Sequence, residues 1–178
     1  VTAARAHPKL LSVEQWRALG EDDYHAEMQE GVPILSPRPP KTHARTLFRL
    51  CTQIGEQLPD GLEALPEIEV VVDSVTPATV RVPDVVVCAI DSPEALHAED
   101  IVLVVEVISP GSRRTDVVTK RSEYADAGIP HYWIVDPDAA TLTTLDLSPH
   151  GYVEHVRRGR CVIEAPMPLT IDLDSALS

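Results

Sequence analysis

The sequence predicts an α/β fold in which a mixed sheet is flanked by helices. Three observations predict it. The segments DVVVCAI (84–90) and IVLVVEVI (101–108) are apolar at nearly every position, the pattern of central strands covered on both faces. Stretches with apolar residues three and four apart precede and follow these runs, as helices packed on a sheet require. Near the C-terminus, TLTTLDL, YVEHVRR and CVIEAP are short, alternating and separated by turn residues, which predicts a small antiparallel meander.

In chain order, SVEQWRAL forms a short helix, with Ser12 as N-cap, Gln15 closing a capping box and Gly20 beyond its end. HAEMQEGVPILSP reads as two short strands about a turn at Glu30-Gly31. A longer helix starts at Thr42, with Ala44, Leu47, Phe48, Cys51, Ile54 and Leu58 as its apolar face and Pro59-Asp60-Gly61 as its stop. EIEVVVD (67–73) precedes the two central strands. A helix over 116–127 follows them, with Thr115 as N-cap. Val117, Val118, Tyr124 and Ala125 form its buried stripe, with Arg121 along it. Gly128 supplies a left-handed end and Pro130 blocks continuation. HYWIVD is the next strand, with Tyr132 and Trp133 as core residues. The meander turns at Ser148-Pro149 and at Gly159.

At 178 residues the chain is long enough to bury a core and reads as one domain over 1–178. No run of apolar residues is long enough to span a membrane. The N-terminal VTAARAHPKLLSVEQW lacks the apolar segment of a signal peptide, so the cytoplasm is the expected location. Cys51, Cys88 and Cys161 sit among apolar neighbours and read as reduced core residues. Fifteen basic against 28 acidic side chains give −13, which argues against a general nucleic-acid binder. The basic residues are grouped, however: Arg38, Lys41, Arg45 and Arg49; Arg113, Arg114, Lys120 and Arg121; and Arg157, Arg158 and Arg160.

Glu106 is the one charged residue in IVLVVEVI. A buried ionised carboxylate costs several kcal/mol unless it is paired, hydrogen-bonded or bound to a cation. A strand-end glutamate can also reach solvent or an arginine. Asp84 heads the neighbouring apolar run, so two carboxylates stand at the polar margin of adjacent strands. Hard divalent cations favour such oxygen ligands and keep waters or substrate phosphate as the rest. Lys120 lies at the edge of the helical stripe, one turn before Tyr124, where its stem can carry the ammonium to the sheet margin. His25, His43 and His131 have no metal-ligand spacing; His43 is placed to contact phosphate near the start of the longer helix.

Pro83-Asp84, EVISPGSRRTD (106–116), Lys120, and the pattern Y-x-x-x-G-I-P-x-Y-W-I-V-D-P from Tyr124 to Pro137 resemble the Uma-two family of putative restriction endonucleases, within the PD-(D/E)XK nuclease superfamily. HAEMQEGVPILSP is similar to that family's Y-E-L-x-x-G-x-x-x-x-S-P segment, with Ala26 where the family has tyrosine, and puts its acid at Glu27. Residues 37–43, with a histidine before the long helix, also fit. The resemblance runs from Ser12 to Pro137.

It implies a restriction-endonuclease-like fold and hydrolysis of DNA phosphodiester bonds, with Glu27, Asp84, Glu106 and Lys120 catalytic. Mg²⁺ or Mn²⁺ would be held by Asp84 and Glu106, with the Val107 carbonyl as a further ligand and Glu27 binding directly or through water. The superfamily lysine usually stands two residues after the second acid. Ile108 occupies that position here, and the resemblance moves the lysine to Lys120.

Three functions remain open on the sequence: a metal-dependent DNA endonuclease, a binding or regulatory protein on the same fold without turnover, and a metal-dependent hydrolase of small phosphate esters. A homodimer is the expected assembly, because a two-fold axis is the simplest way to cut both strands.

Overall fold

The structure is a computed structural model that describes residues 10–19, 25–36, 38–109 and 111–178. Residues 1–9, residues 20–24 with Gly20, Pro37 and Pro110 lie outside the described residues.

Ser12 caps α1 (Val13–Arg17), and the capping box with Gln15 forms as the sequence predicts. β1 (His25–Gln29) and β2 (Val32–Ser36) make the expected hairpin. Its turn residues Glu30 and Gly31 both have positive φ, 47° and 75°, the twist that a two-residue hairpin requires. Gly31 is needed for a second reason: a Cβ there would lie 2.7 Å from the Leu11 backbone nitrogen.

α2 (Lys41–Gly55) follows. Its inner face carries Leu47, Leu50 and Ile54, while Phe48 is 69 % exposed. The helix ends at Gly55, before the Pro59-Asp60-Gly61 stop that the sequence suggests, and Leu58 packs on the core from the loop beyond.

β3 (Leu62–Pro66), β4 (Val70–Asp73), β5 (Thr79–Arg81), β6 (Val85–Ala89), β7 (Leu96–His97) and β8 (Ile101–Val107) come next. The chain then crosses over through a wide π-type turn at Thr115–Lys120 and α3 (Arg121–Asp126) to β9 (His131–Asp136). β10 (Thr141–Ser148), β11 (Gly151–Arg157), β12 (Arg160–Ile163), β13 (Leu169–Asp172) and α4 (Leu173–Leu177) complete the chain.

The central sheet has the order β11-β10-β9-β8-β6-β3, and a second sheet has the order β2-β1-β5-β4-β7. β9, β10 and β11 extend the central sheet as an antiparallel meander, and β12 pairs with β13 in a separate two-stranded sheet. β8 and β9 are parallel neighbours; β6 and β8 are antiparallel neighbours.

The continuous apolar runs of β6 and β8 have their expected cause. Val85, Val87, Leu103 and Val105 pack with Leu47 and Leu50 of α2 and with Ile171 and Leu173 near the C-terminus. On the other face, Val86, Cys88 and Val104 pack with Tyr124 of α3 and with Val70 and Val72 of β4. Both faces are dry, so both must be apolar. Tyr132 and Trp133 are fully buried, and the three cysteines are free thiols. Among the described residues no helix is long and apolar enough to cross a membrane.

Candidate active site

Along β8, Leu103, Val105 and Val107 point to the α2 side, so Glu106 points to the α3 side by strand alternation. The crossover returns over that side. Its inward residues are Asp116, Lys120 and Tyr124, all buried. Val117 and Val118, expected in the buried stripe, are instead 36 % and 60 % exposed. The face that meets the sheet here meets a carboxylate, so its inward residues are polar. Thr115 is not the N-cap either: the turn is already helical at Arg114, and Asp116 N donates to Ser112 O at 2.9 Å.

Lys120 Nζ donates to Glu106 Oε1 at 2.8 Å, and the Tyr124 hydroxyl donates to the same oxygen at 3.1 Å. Neither of these bonds uses Oε2.

Glu27, on β1, is part of this centre rather than an outlying acid. Its Oε1 lies 2.9 Å from Lys120 Nζ and accepts from Val82 N at 3.1 Å. Its Oε2 accepts from Arg81 at 3.0 Å. Arg81 is fully buried and holds Glu123 with its other two nitrogens, at 2.7 and 2.8 Å. A paired guanidinium matches a carboxylate in this two-point geometry.

Asp84 sits just before β6. Its Oδ2 accepts from Val107 N at 2.6 Å and its Oδ1 meets His43 Nε2 at 2.9 Å. The first bond ties Asp84 to the residue after Glu106. His43 stands on α2 one turn before Leu47, which brings its ring to the sheet margin; its Nδ1 is buried without a hydrogen-bond partner among the described residues. Glu27, Asp84, Glu106 and Lys120 all line one cavity of about 590 Å³.

The charges do not balance. Glu27, Glu106, Asp116 and Glu123 share Lys120 and Arg81 as their permanent cations, and Asp84 pairs with His43. Burial raises the proton affinity of Glu106 well above the carboxylate range; Lys120 opposes this, and Asp84, Asp116 and Glu27 add to it. Burial raises Asp116 too, against the pull of Lys120. Burial would lower the pKa of Lys120, but Glu106, Glu27 and Asp116 outweigh it and keep the ammonium protonated. Burial would raise Glu27, but Lys120 and Arg81 together hold it below its ordinary value. His43, despite burial, is raised by its bond to Asp84 and by the charges of Asp84, Glu67 and Asp116. Burial and the surrounding acids therefore raise the proton affinity of Glu106, and a cation at this carboxylate would relieve the same excess of negative charge.

Among the described residues no three His, Cys, Asp or Glu side chains group as a ready metal cage. The donor chemistry still suits Mg²⁺ or Mn²⁺. Two carboxylates at the margin of adjacent strands, Asp84 just before β6 and Glu106 in β8, match an ion that takes one or two carboxylates and fills its remaining positions with water and phosphate.

A family model described as Uma2, putative restriction endonuclease, matches residues 12–176. The chain belongs to the Uma2 family. The match continues past Pro137, where the motifs end, through the meander to α4. A crystal structure from Anabaena variabilis ATCC 29413, described as a putative nuclease belonging to DUF820, is similar over 94 % of this chain and 97 % of that one, with a TM-score of 0.75 at 19 % identity. At that identity the likeness shows the fold, which is nuclease-like. No curated protein sequence matches.

The structure brings together every site residue singled out from this Uma2 sequence. Arg81, Glu123, Asp116 and Tyr124 join them as partners that the sequence reading did not single out for the site. The spacing of four from Asp116 to Lys120 to Tyr124 was the available signal for two of these; Arg81 and Glu123 have no local one.

Proposed function

We propose that the protein is a divalent-metal-dependent phosphodiesterase acting on DNA. The observation that carries this reading is the approach of Lys120, from the crossover, to 2.8 Å from Glu106 on the strand. A lysine delivered from the helix takes the place of the one missing at Ile108. Asp84 and Glu106 are assigned as the ligands of Mg²⁺ or Mn²⁺, with the Val107 carbonyl as a third. Glu27 is assigned a different role from direct ligation, because each of its oxygens already faces a permanent cation, Lys120 or Arg81, whereas Asp84 pairs with neither.

When bound, the ion supplies Lewis acidity and lowers the pKa of water. The side chains do the rest. Lys120 is protonated, so it donates to a phosphate oxygen or to the attacking water and offsets charge that develops at phosphorus. It does not act as the base. Glu27 and Arg81 fix the direction of that ammonium. Tyr124, whose hydroxyl is itself driven toward the neutral form by burial, holds Glu106 Oε1.

Calorimetric Mn²⁺ titration beside a plasmid-nicking assay tests the reading. Wild-type protein should bind Mn²⁺ and nick. Glu106→Gln should lose both. Lys120→Ala should lose nicking while keeping Mn²⁺, bound equally or more tightly because a nearby positive charge is gone. Wild-type protein that binds no Mn²⁺ at millimolar concentration defeats the proposal and favours a binding protein. Mn²⁺ binding with no cleavage of DNA favours a small phosphate ester as substrate.

A further inference from the structure

Water that attacks phosphorus must give up a proton. Lys120 is held protonated, so it does not take that proton, and the acceptor must be another group on the cavity wall. Among the described residues the acids and histidines that line the cavity are Glu27, His43, Asp84, Glu106 and Asp116.

Four of these are already committed. Each oxygen of Glu27 faces a permanent cation. The Asp84 oxygens meet Val107 N at 2.6 Å and His43 at 2.9 Å. Glu106 holds Lys120 and Tyr124 on one oxygen, and both Asp84 and Glu106 are assigned to the ion. His43 has its Nε2 on Asp84, and its Nδ1 is buried, so it does not open onto the cavity.

Asp116 differs from all four. It lines the cavity from the crossover. Its Oδ1 is 3.8 Å from Lys120 Nζ, beyond hydrogen-bond reach, and Ser112 gives it a neutral hydrogen bond. The same ammonium stands 2.8 Å from Glu106, so one donor separates Asp116 from the carboxylate assigned to the ion. At 2 % exposure an ionised Asp116 carries a desolvation cost. One neutral hydrogen bond and an ammonium beyond bonding distance only partly offset it, so stability alone gives no reason for an acid here. Its backbone belongs to the π-type turn Thr115–Lys120, a form frequent at functional sites. Burial and the charges of Asp84 and Glu27 raise its proton affinity above that of an ordinary aspartate, against Lys120 and Ser112; its charge also acts on Glu106 and His43. A carboxylate of raised affinity is the better proton acceptor.

We infer that Asp116, on the cavity wall beside Lys120, is the general base that takes a proton from the attacking water. The water oxygen bonds to phosphorus as that proton passes to the Asp116 carboxylate. The bond from phosphorus to the leaving oxygen breaks, its electron pair stays with that oxygen, and the oxygen takes a proton from solvent. Asp116 then returns its own proton to solvent. This role rests on the phosphodiesterase reading, to which it adds the proton acceptor.

The test compares wild type with Asp116→Asn, which keeps the size of the side chain and removes the base. Plasmid nicking at saturating Mn²⁺ is followed from about pH 6 to about pH 9, beside Mn²⁺ calorimetry and urea unfolding, and rates are expressed per folded protein. Near neutrality the variant should nick about 10²–10⁴-fold more slowly. Unlike Glu106→Gln, it should still bind Mn²⁺. Wild-type nicking should level off with rising pH once the base is ionised. The variant depends on hydroxide and should keep gaining about tenfold per pH unit, so the gap closes. A residue that only supports the site would lower the whole curve in parallel.

Equal rates, parallel pH curves or loss of Mn²⁺ binding by Asp116→Asn overturns the inference, while wild-type nicking keeps the phosphodiesterase reading in place. If the variant does not fold, the wild-type curve decides: a rate that rises with hydroxide throughout has no side-chain base behind it and overturns the inference as well. Wild-type protein that nicks no DNA defeats the phosphodiesterase reading, and the base falls with it.

Discussion

Lys120 and Glu106 form a buried ion pair, Nζ to Oε1 at 2.8 Å, with both side chains under one-tenth exposed. The lysine also stands 2.9 Å from Glu27 and 3.8 Å from Asp116. One ammonium therefore serves three carboxylates. Replacing Lys120 by methionine keeps the length of the side chain and removes the charge. Deleting one partner of a buried pair costs about 3–5 kcal/mol. Part of that loss should be recovered at low pH, where the abandoned carboxylates can protonate. Urea unfolding of Lys120→Met should thus show a deficit that grows as pH rises; a deficit independent of pH would mean that the lysine does not compensate these acids.

Glu106 supplies a second pH prediction, and its sign is opposite to that of an ordinary paired acid. Its folded pKa is raised, so between the unfolded and folded values the native state binds the extra proton. Its contribution to stability is fully present below the ordinary value of 4.5 and is lost as pH rises through the folded value. Glu27, whose pKa is lowered, behaves in reverse: its contribution is present above the ordinary value and is lost as pH falls. Glu106→Gln should remove the first effect and leave the second. In metal-free buffer the variant should overtake wild type in urea midpoint as pH increases above the ordinary carboxylate range. Parallel midpoint curves would show that Glu106 does not titrate as its surroundings require.

Where signals were local, the sequence was readable. The dry strands around Val86 and Val104, the capping box at Ser12 and the turn at Glu30-Gly31 each followed from neighbouring residues. Asp84 and Glu106 stood out because a charge at the margin of a dry strand is costly. The Arg81 network gave no such sign. Arg81 partners Glu27 and Glu123 across separations of 54 and 42 residues, and an arginine among valines looks like the outward face of a strand. The crossover misled for the opposite reason. Its valines suggested an apolar inner stripe, but the surface it covers carries Glu106. β5 and β7 are too short to show a period, and β13 is mixed in burial.

α2 offers a direct check on which of its apolar residues face the core. Phe48 fits the periodicity but is 69 % exposed, whereas Leu50 is 1 % exposed. Phe48→Ser should change stability by no more than about 0.5 kcal/mol. Leu50→Ala should cost about 2–5 kcal/mol through lost burial and the cavity left behind. Thermal unfolding distinguishes the two; similar losses would mean that the helix is rotated from this position.

Arg81 tests whether the support of the site can be separated from the site. Its guanidinium is fully buried and bridges Glu27 to Glu123, yet it makes no hydrogen bond to Asp84 or Glu106. Arg81→Met leaves Glu123 without its cation and Glu27 with Lys120 alone, and should cost about 3–5 kcal/mol. Glu123→Gln removes one charge but keeps an acceptor, so its loss should be smaller, about 1–3 kcal/mol. Because the two residues share two hydrogen bonds, the double variant should lose less than the sum, by about 0.5–3 kcal/mol. If Asp84 and Glu106 hold the ion as proposed, Mn²⁺ binding by the folded fraction should survive in all three variants. Nicking should fall in Arg81→Met, because Glu27 then loses the donor on its Oε2 and no longer fixes Lys120 as firmly. Strict additivity in the unfolding data would remove the bridging role, and unchanged nicking by Arg81→Met would confine Arg81 to stability alone.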